Sequence, residues 1–227
     1  MSGSAHAAPR LSAGAILLIE LALALGGFAI GTSEFSIMGL MPNVAQDLGV
    51  SEPQVGHVIS SYALGVVVGA PVLALLGSRL LRKHLLLLLM GVFAVGNLAS
   101  ALAPDYLTLM MFRFFAGLPH GAYFGVAMLV AASMAAPHKR AKAVSRVLMG
   151  LSVAILIGNP LATWLGQSVS WRYAFALVSV IALATVAMIA LLLPVDRSEV
   201  RSSPISELRA FNLSLIHISE PTRPLYI

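Results

Sequence analysis

The apolar positions of this chain neither alternate nor follow a single helical stripe; they run on for about twenty residues at a time. Crossing ~30 Å of hydrocarbon takes ~20 residues at 1.5 Å each. Six runs of that length are present, at about 13–41, 53–76, 84–103, 107–134, 147–168 and 173–194. They predict an all-α membrane protein with six transmembrane helices. The first run is too long for the apolar core of a leader peptide and is preceded only by Arg10, so it is expected to remain in the protein.

Polar punctuation separates the runs. Pro42-Asn43 closes the first, and Ser51-Glu52-Pro53 opens the second with a capping residue before a proline. Pro104-Asp105 divides the third from the fourth, Pro137 with His138-Lys139-Arg140 ends the fourth, and Pro194 ends the sixth.

The loops are asymmetric in charge. Arg10, the 2–3 loop (Arg79, Arg82, Lys83), the 4–5 loop (Lys139, Arg140, Lys142, Arg146) and the segment after the sixth run (Arg197, Arg201, Arg209) carry eleven cations. The opposite loops carry only Arg172. Basic loops stay cytoplasmic, so the N-terminus is expected in the cytoplasm; the membrane is expected to be a bacterial inner membrane.

Composition agrees with lipid as the solvent: 59% of residues are hydrophobic and 10% charged, where a soluble domain carries roughly 25% charge. Mean hydropathy is +0.91. The net charge of +5 lies in short loops, a placement that sets orientation rather than nucleic-acid binding. There are no cysteines, and the six histidines fall at no ligand spacing, so neither a metal nor another cofactor is called for.

A shift of 89 residues lays the second run on the fifth: Gly69, Pro71, Leu76 and Gly77 fall on Gly158, Pro160, Leu165 and Gly166. The same shift carries the third run onto the sixth. Three helices repeated in opposite orientation make a 3+3 inverted repeat, an architecture of transporters.

Ionisable groups at membrane depth are costly and usually functional. Glu20 and Glu34 lie in the first run, Arg113 and His120 in the fourth. At 100° per residue the two acids share a helix face, as do the arginine and the histidine. Counting from the helix ends puts Glu34 roughly 12 Å and Arg113 roughly 9 Å below the same boundary. These two are therefore expected to meet, directly or through water, as a proton-coupling pair, with a fixed ion pair that only holds the two helices together as the alternative. Glu20, His120, Tyr62 and Asn97 are candidates for a substrate cavity, with hydrogen bonding between helices as the alternative. Pro119 should disturb the fourth helix beside His120. Gly69, Gly117, Gly121 and Gly158, with Pro71 and Pro160, are expected at close helix contacts and flexing points.

Several strings resemble the major facilitator superfamily, in its drug–proton antiporter and arabinose-type sugar-efflux branch. They are Gly31-Thr-Ser-Glu-Phe35 with Met38-Gly-Leu-Met-Pro42, Tyr62-Ala-Leu-Gly-Val-Val-Val-Gly-Ala-Pro71, Arg113-Phe-Phe-Ala-Gly-Leu-Pro-His-Gly-Ala-Tyr-Phe-Gly125, and Gly166-Gln167 with Trp171-Arg172. The resemblance covers about 13–212. It implies two six-helix domains around a central cavity, proton-driven efflux, and proton coupling at Arg113. Gly158 and Pro160 match part of the glycine–proline motif that marks antiporters in helix 5. In the 2–3 loop, Arg79, Arg82 and Lys83 keep the basic part of the family's gating motif. Ser78 and Leu81 replace its acid and glycine, Asn159 interrupts the helix-5 Gly-Pro, and Ala162 stands where glycine is usual.

The expected organisation is a cytoplasmic arm (1–12), a six-helix domain (13–194), the start of an inter-domain linker (195–212) and a tail (213–227). The tail, Leu213-Ser-Leu-Ile-His-Ile-Ser-Glu-Pro-Thr-Arg223 onward, resembles a translated sequencing adapter and reads as foreign to the protein. The functional expectation is a transporter truncated to its N-terminal half, exporting drugs, sugars or related small molecules against protons. Its partners would be substrate, protons, the bilayer and a missing C-terminal six-helix domain. The alternative is a six-helix half-transporter acting as a dimer. An intramembrane serine protease lacks its GxSG turn at Ser152, and an aquaporin-type channel has one imperfect half-helix motif at Asn159-Pro160-Leu161. Neither reading, and no enzyme activity, is supported.

Overall fold

The computed structural model describes residues 12–77 and 80–195. Ser78 and Arg79, nearly all of the expected arm and linker, and the whole tail lie outside the described residues.

The first span is α1 (Ala13–Gly39), opened by Ser12, whose hydroxyl accepts from the Ala15 N–H at 3.2 Å. The expected boundary at residue 41 is corrected here. The chain turns at Leu40 and starts a separate short helix, α2 (Met41–Leu48), with Pro42 in its first turn. Proline is tolerated there because the first helical N–H groups have no partner to lose. Gly49 closes α2 at φ 64°, a left-handed conformation that favours glycine.

The second and third spans are α3 (Glu52–Gly77) and α4 (Arg82–Ala101). The fourth is broken, as Pro119 requires, into α5 (Tyr106–Gly117) and α6 (Pro119–Met134). Asp105 caps α5 in a reciprocal pair with Thr108. The fifth span starts seven residues earlier than expected. A 3₁₀ turn (Pro137–Lys139) leads into α7 (Arg140–Val153), then a π-turn (Ala154–Gly158) and α8 (Asn159–Ser168). Basic residues in the first turns of α7 masked its start in an apolar-run reading. The π-turn follows from Pro160, which cannot donate to the carbonyl four residues back; Asn159 N–H bonds instead to Ala154 O, five residues back. The sixth span is α9 (Trp171–Leu192), opened by Ser170. All six spans are long and apolar enough to cross a membrane.

The packing repeats. Exchanging the first three spans for the last three turns the α3–α5 contact into α7–α1 and α4–α5 into α9–α1, and leaves α4–α9 on itself; all are major contacts. The two central seams share a register. Along α3 and α5 the partners are His57–Tyr106, Ser61–Met110, Gly65–Phe114 and Gly69–Leu118, always forty-nine residues apart. Along α1 and the fifth span they are Glu20–Arg146, Ala24–Gly150 and Thr32–Gly158, always one hundred and twenty-six apart. A constant offset at four-residue steps means parallel helices meeting about every 6 Å. The shift of 89 maps His57, Ser61 and Gly69 of the first ladder onto Arg146, Gly150 and Gly158 of the second.

Glycine sets the closeness of both seams. A Cβ at Gly65, Gly69 or Gly150 would lie 2.2, 2.0 or 1.9 Å from the carbonyl oxygen of Phe114, Leu118 or Ala24. Small residues allow backbones to approach this way in lipid.

Two apolar cores result. One gathers Ile19, Leu23, Ile30, Leu86, Phe93, Tyr123 and Val178; the other, nearer α2, gathers Ile37, Val58, Leu109, Trp171 and Phe175. Polar side chains buried in α1, α3, α4 and α5 (Ser33, Tyr62, Asn97 and Arg113) form the candidate site.

Candidate functional site

Arg113 is fully buried. Its Nη1 donates to Ser33 Oγ at 2.7 Å and its Nη2 to the Ser33 carbonyl oxygen at 3.0 Å. Ser33 Oγ in turn donates to Asn97 Oδ1 at 2.6 Å, and Asn97 Nδ2 donates to Phe93 O at 2.8 Å. The guanidinium carbon lies 4.3 Å from the Tyr62 ring centroid and 5.0 Å from that of Phe175. Such contacts stabilise a desolvated cation by about 0.5–2 kcal/mol each. Arg113 thus ties α5 to α1 by hydrogen bonds, to α3 and α9 by aromatic rings, and to α4 through Ser33. Among the described residues, its Nε and the Ser36 hydroxyl are buried without a hydrogen-bond partner.

Glu34 is next to Ser33 on α1 and half-buried, within range of the Arg113 charge. Among the described residues no hydrogen bond or ion pair joins the two. The expectation is a meeting directly or through water; the hydrogen bonds of Arg113 go to the residue before Glu34, whose carboxyl lies within range of its charge.

Of the four cavity candidates, His120 is partly exposed and the other three are buried. Tyr62 is 2% exposed, and its hydroxyl is 3.1 Å from His120 Nδ1. Asn97 is fully buried and serves Ser33, so hydrogen bonding between helices describes it. Glu20, expected at a vestibule, is 2% exposed and accepts from Arg146 Nη1 at 2.5 Å. The reason is the earlier start of α7, which makes Arg146 a helix residue facing α1 rather than a loop cation. A buried carboxylate needs such a partner.

The same transposition that relates the seams carries Gly31 onto Gly117 and Glu34 onto His120, so these two ionisable groups hold equivalent places on the first and fourth spans. Gly117 meets the Tyr62 carbonyl oxygen, 2.3 Å from where a Cβ would sit, and Gly121 meets the Ala70 methyl at 2.8 Å. Pro71 lies inside α3 and Pro160 in the first turn of α8, both exposed. Lys83 donates to Ala190 O at 2.7 Å, which satisfies a carbonyl in the last turn of α9. Arg82 begins α4. Arg79 lies outside the described residues.

Residues outside the sequence-derived set also hold the bundle. Tyr123 donates to Leu23 O at 2.8 Å, its hydroxyl filling the space where Gly26 has no side chain. On the α2 side, Arg172 donates to Asp47 and, at 2.9 Å, to Ala103 O, while its guanidinium covers the Trp171 ring at 4.3 Å. Trp171 Nε1 also donates to Asp47, at 3.0 Å. The hydrogen bond from Arg172 holds the Asp47 carboxyl below the usual aspartate range. Ser33 was within the Gly-Thr-Ser-Glu-Phe string, but no spacing rule distinguishes a serine that holds a cation from one that packs. Phe175 gives no signal, since an aromatic beside a cation in space is ordinary apolar sequence in one dimension.

Grooves among the described residues include two of similar size. One, of ≈ 450 Å³, runs between α1 and α7 and is apolar apart from Arg146. The other, of ≈ 430 Å³, is polar and lies between α2 and the α8–α9 turn, with Asn43, Gln46, Asp47 and Gln167 on its walls. No group of three or more metal-ligating side chains occurs among the described residues.

A six-helix inverted repeat closed around a buried arginine is the architecture of a transporter domain in a multi-pass membrane protein. The chain belongs to the Major Facilitator Superfamily, whose family model matches residues 23–224. That is a family of transporters, not of enzymes. The chain is 52% identical over 155 residues to the inner membrane transport protein YdhP of Escherichia coli (strain K12), covering 68% of this chain and 40% of that protein. It is 44% identical over 185 residues to AraJ of the same organism, covering 82% of this chain and 47% of that one. Other relatives carry names that refer to sugar efflux and to chloramphenicol resistance. Among solved structures, the proton:xylose symporter XylE superposes with a TM-score of 0.74 at 19% identity, over 92% of this chain and 52% of that one. At that identity the likeness concerns the fold alone. The chain spans about half the length of the curated relatives it matches.

Proposed function

We propose that this chain is the N-terminal half of a proton-coupled antiporter that exports drugs, sugars or related small molecules. The observation that carries the reading is the buried Arg113, held beside Glu34 at membrane depth. A carboxylate next to a permanent cation binds a proton weakly when hydrated and more strongly when desolvated, so a change of conformation alters its proton affinity. Glu34 is the proton carrier in this scheme, Arg113 tunes it, and His120 reaches toward substrate. Tyr62 fixes His120 and covers Arg113. The location is a bacterial inner membrane, with the basic loops and the N-terminus in the cytoplasm.

The missing partner is a second six-helix domain. Its docking faces are α3 and the α7–α8 span, the two least enclosed spans and images of each other in the repeat. Both present exposed apolar side chains, among them Leu64, Val67 and Val72, and Val153, Leu156 and Trp164. We also infer that residues from about 213 onward are foreign to this protein, although the family match extends to residue 224; resequencing the source DNA past the codon for Phe211 tests that reading.

The test of coupling is Glu34→Gln in the completed transporter. In everted vesicles offered a panel of lipophilic drugs, sugars and nucleosides, the wild type is expected to release protons with substrate. The variant is expected to insert normally and release none. Proton release undiminished in the variant would refute the reading.

A further inference from the structure

The guanidinium of Arg113 has a carboxylate within reach of its charge, yet its hydrogen bonds go to Ser33. A two-pronged bond between an arginine and a carboxylate is among the strongest side-chain contacts available. It would fix Glu34 in its ionised form. Something must therefore hold the cation off.

We propose that Ser33 and Asn97 are positioning residues for Arg113, anchoring its guanidinium to α1 one residue short of Glu34 so that the carboxyl group stays free to exchange a proton. The inference rests on the proton-coupling reading above and assigns that site its supporting residues.

The direction of each hydrogen bond makes the anchor. A serine hydroxyl can donate once and accept from others. Ser33 donates to Asn97 Oδ1, which turns its lone pairs toward Arg113 Nη1. Asn97 is oriented by its own donation to Phe93 O, a backbone group that does not move with the side chains. The second prong, from Nη2 to the Ser33 carbonyl oxygen, fixes the guanidinium plane. The rings of Tyr62 and Phe175 flank it at 4.3 and 5.0 Å and limit its swing. Ser33, Asn97, Tyr62 and Phe175 all engage the guanidinium, directly or through Ser33, and both Ser33 and Asn97 are fully buried, where water cannot substitute for them.

The titratable and charged groups around Glu34 are few. α5 brings Arg113, α3 brings Tyr62, and α6 brings His120, which is tied to Tyr62. α4 and α9 bring Asn97 and Phe175, neither of which titrates. The fifth span sets Arg146 against α1, but that cation is paired with Glu20, roughly 21 Å further along the helix. Of these groups, Arg113 is the cation whose charge acts on Glu34.

The experiment follows Glu34 itself. The chain is reconstituted in lipid bilayers, and the carboxylic C=O stretch of Glu34, identified by its loss in Glu34→Gln, is titrated by infrared spectroscopy. Ser33→Thr keeps the hydroxyl and is expected to keep the wild-type midpoint. Ser33→Ala removes the hydroxyl prong and Asn97→Ala removes what orients it. With only the backbone prong left, Nη1 is free to turn toward Glu34, and each variant is expected to move the midpoint to lower pH by about one unit or more, as an opposite charge within 4–6 Å does. Midpoints of both alanine variants that coincide with wild type, or move to higher pH, would overturn the proposal. If Asn97→Ala fails to assemble, Ser33→Ala decides alone. A shifted midpoint together with undiminished proton release by Glu34→Gln would leave the positioning intact and remove the coupling reading.

Discussion

Gly69 and Gly158 hold equivalent places in the two halves of the bundle, yet they face different obstacles. A methyl on Gly69 would lie 2.0 Å from the Leu118 carbonyl oxygen and 2.5 Å from its Cα; one on Gly158 would lie 2.2 Å from the Thr32 hydroxyl. Backbone cannot step aside, whereas a threonine can rotate.

Gly69→Ala is therefore expected to destabilise the chain more than Gly158→Ala. Overpacking against backbone costs about 1–3 kcal/mol. Displacing the Thr32 hydroxyl forfeits mainly its 2.8 Å bond to Phe28 O, worth about 1 kcal/mol. Thermal unfolding in detergent micelles ranks the two, and the reverse order would show that the α3–α5 seam has slack.

The Glu20–Arg146 pair gives a second test. Arg146→Ala leaves a 2%-exposed carboxylate without its partner, and removing one member of a buried pair costs about 3–5 kcal/mol. Arg146 is 34% exposed, so water compensates in part and about 1–3 kcal/mol is expected. Glu20→Gln still accepts the hydrogen bond and should cost less. The double change Glu20→Met with Arg146→Met should recover most of the loss, because no charge is left stranded. Denaturant midpoints of the four proteins check the series.

Tyr62 does two things that substitution can separate. Tyr62→Phe removes the bond to His120 but keeps a ring over Arg113, and about 0.5–1.5 kcal/mol should be lost. Tyr62→Leu also removes the ring and should cost roughly a further 1 kcal/mol. Equal losses would mean that the ring contributes nothing to holding the cation.

The clasp on the α2 side has a definite pH range. Asp47 binds its proton less readily when folded than when free, chiefly because Arg172 donates to it. Its contribution is therefore complete above the ordinary aspartate value of ~3.9 and disappears only as pH falls through the lower folded value. The chain has two tryptophans. In Trp164→Phe the sole reporter is Trp171, which donates to Asp47. Its fluorescence should be flat from pH 7 to 5 and change only below ~4, with Asp47→Asn abolishing the change. A transition above pH 5 would be inconsistent with the clasp.

Much of the architecture was legible because lipid writes it in long apolar runs. Six spans, the break at Pro119 and the shift of 89 between Gly69 and Gly158 all came from one-dimensional pattern. The fifth span began too late because Arg140, Lys142 and Arg146 look like loop residues until α7 is seen to carry them. That misplacement also hid the partner of Glu20. The site was half legible: depth counting brought Arg113 level with Glu34, but which of two adjacent α1 residues takes the hydrogen bonds is a matter of rotation by 100° and of lone-pair direction. Neither leaves a mark in composition or spacing.

The π-turn at Ala154–Gly158 has a consequence for anyone who aligns or edits this chain. It stores one residue beyond what a straight helix needs, so everything from Asn159 to Ser168 is turned by about 100° from where α7 alone would point it. The span behaves as two helices out of phase that share an axis. An in-frame deletion of one codon between 154 and 158 would leave the span nearly as long and nearly as apolar. It would nevertheless swing Trp164 and Leu161 off their present face and carry Gly166 away from Leu40. Length and hydropathy, the two quantities by which membrane segments are usually compared, would register almost nothing.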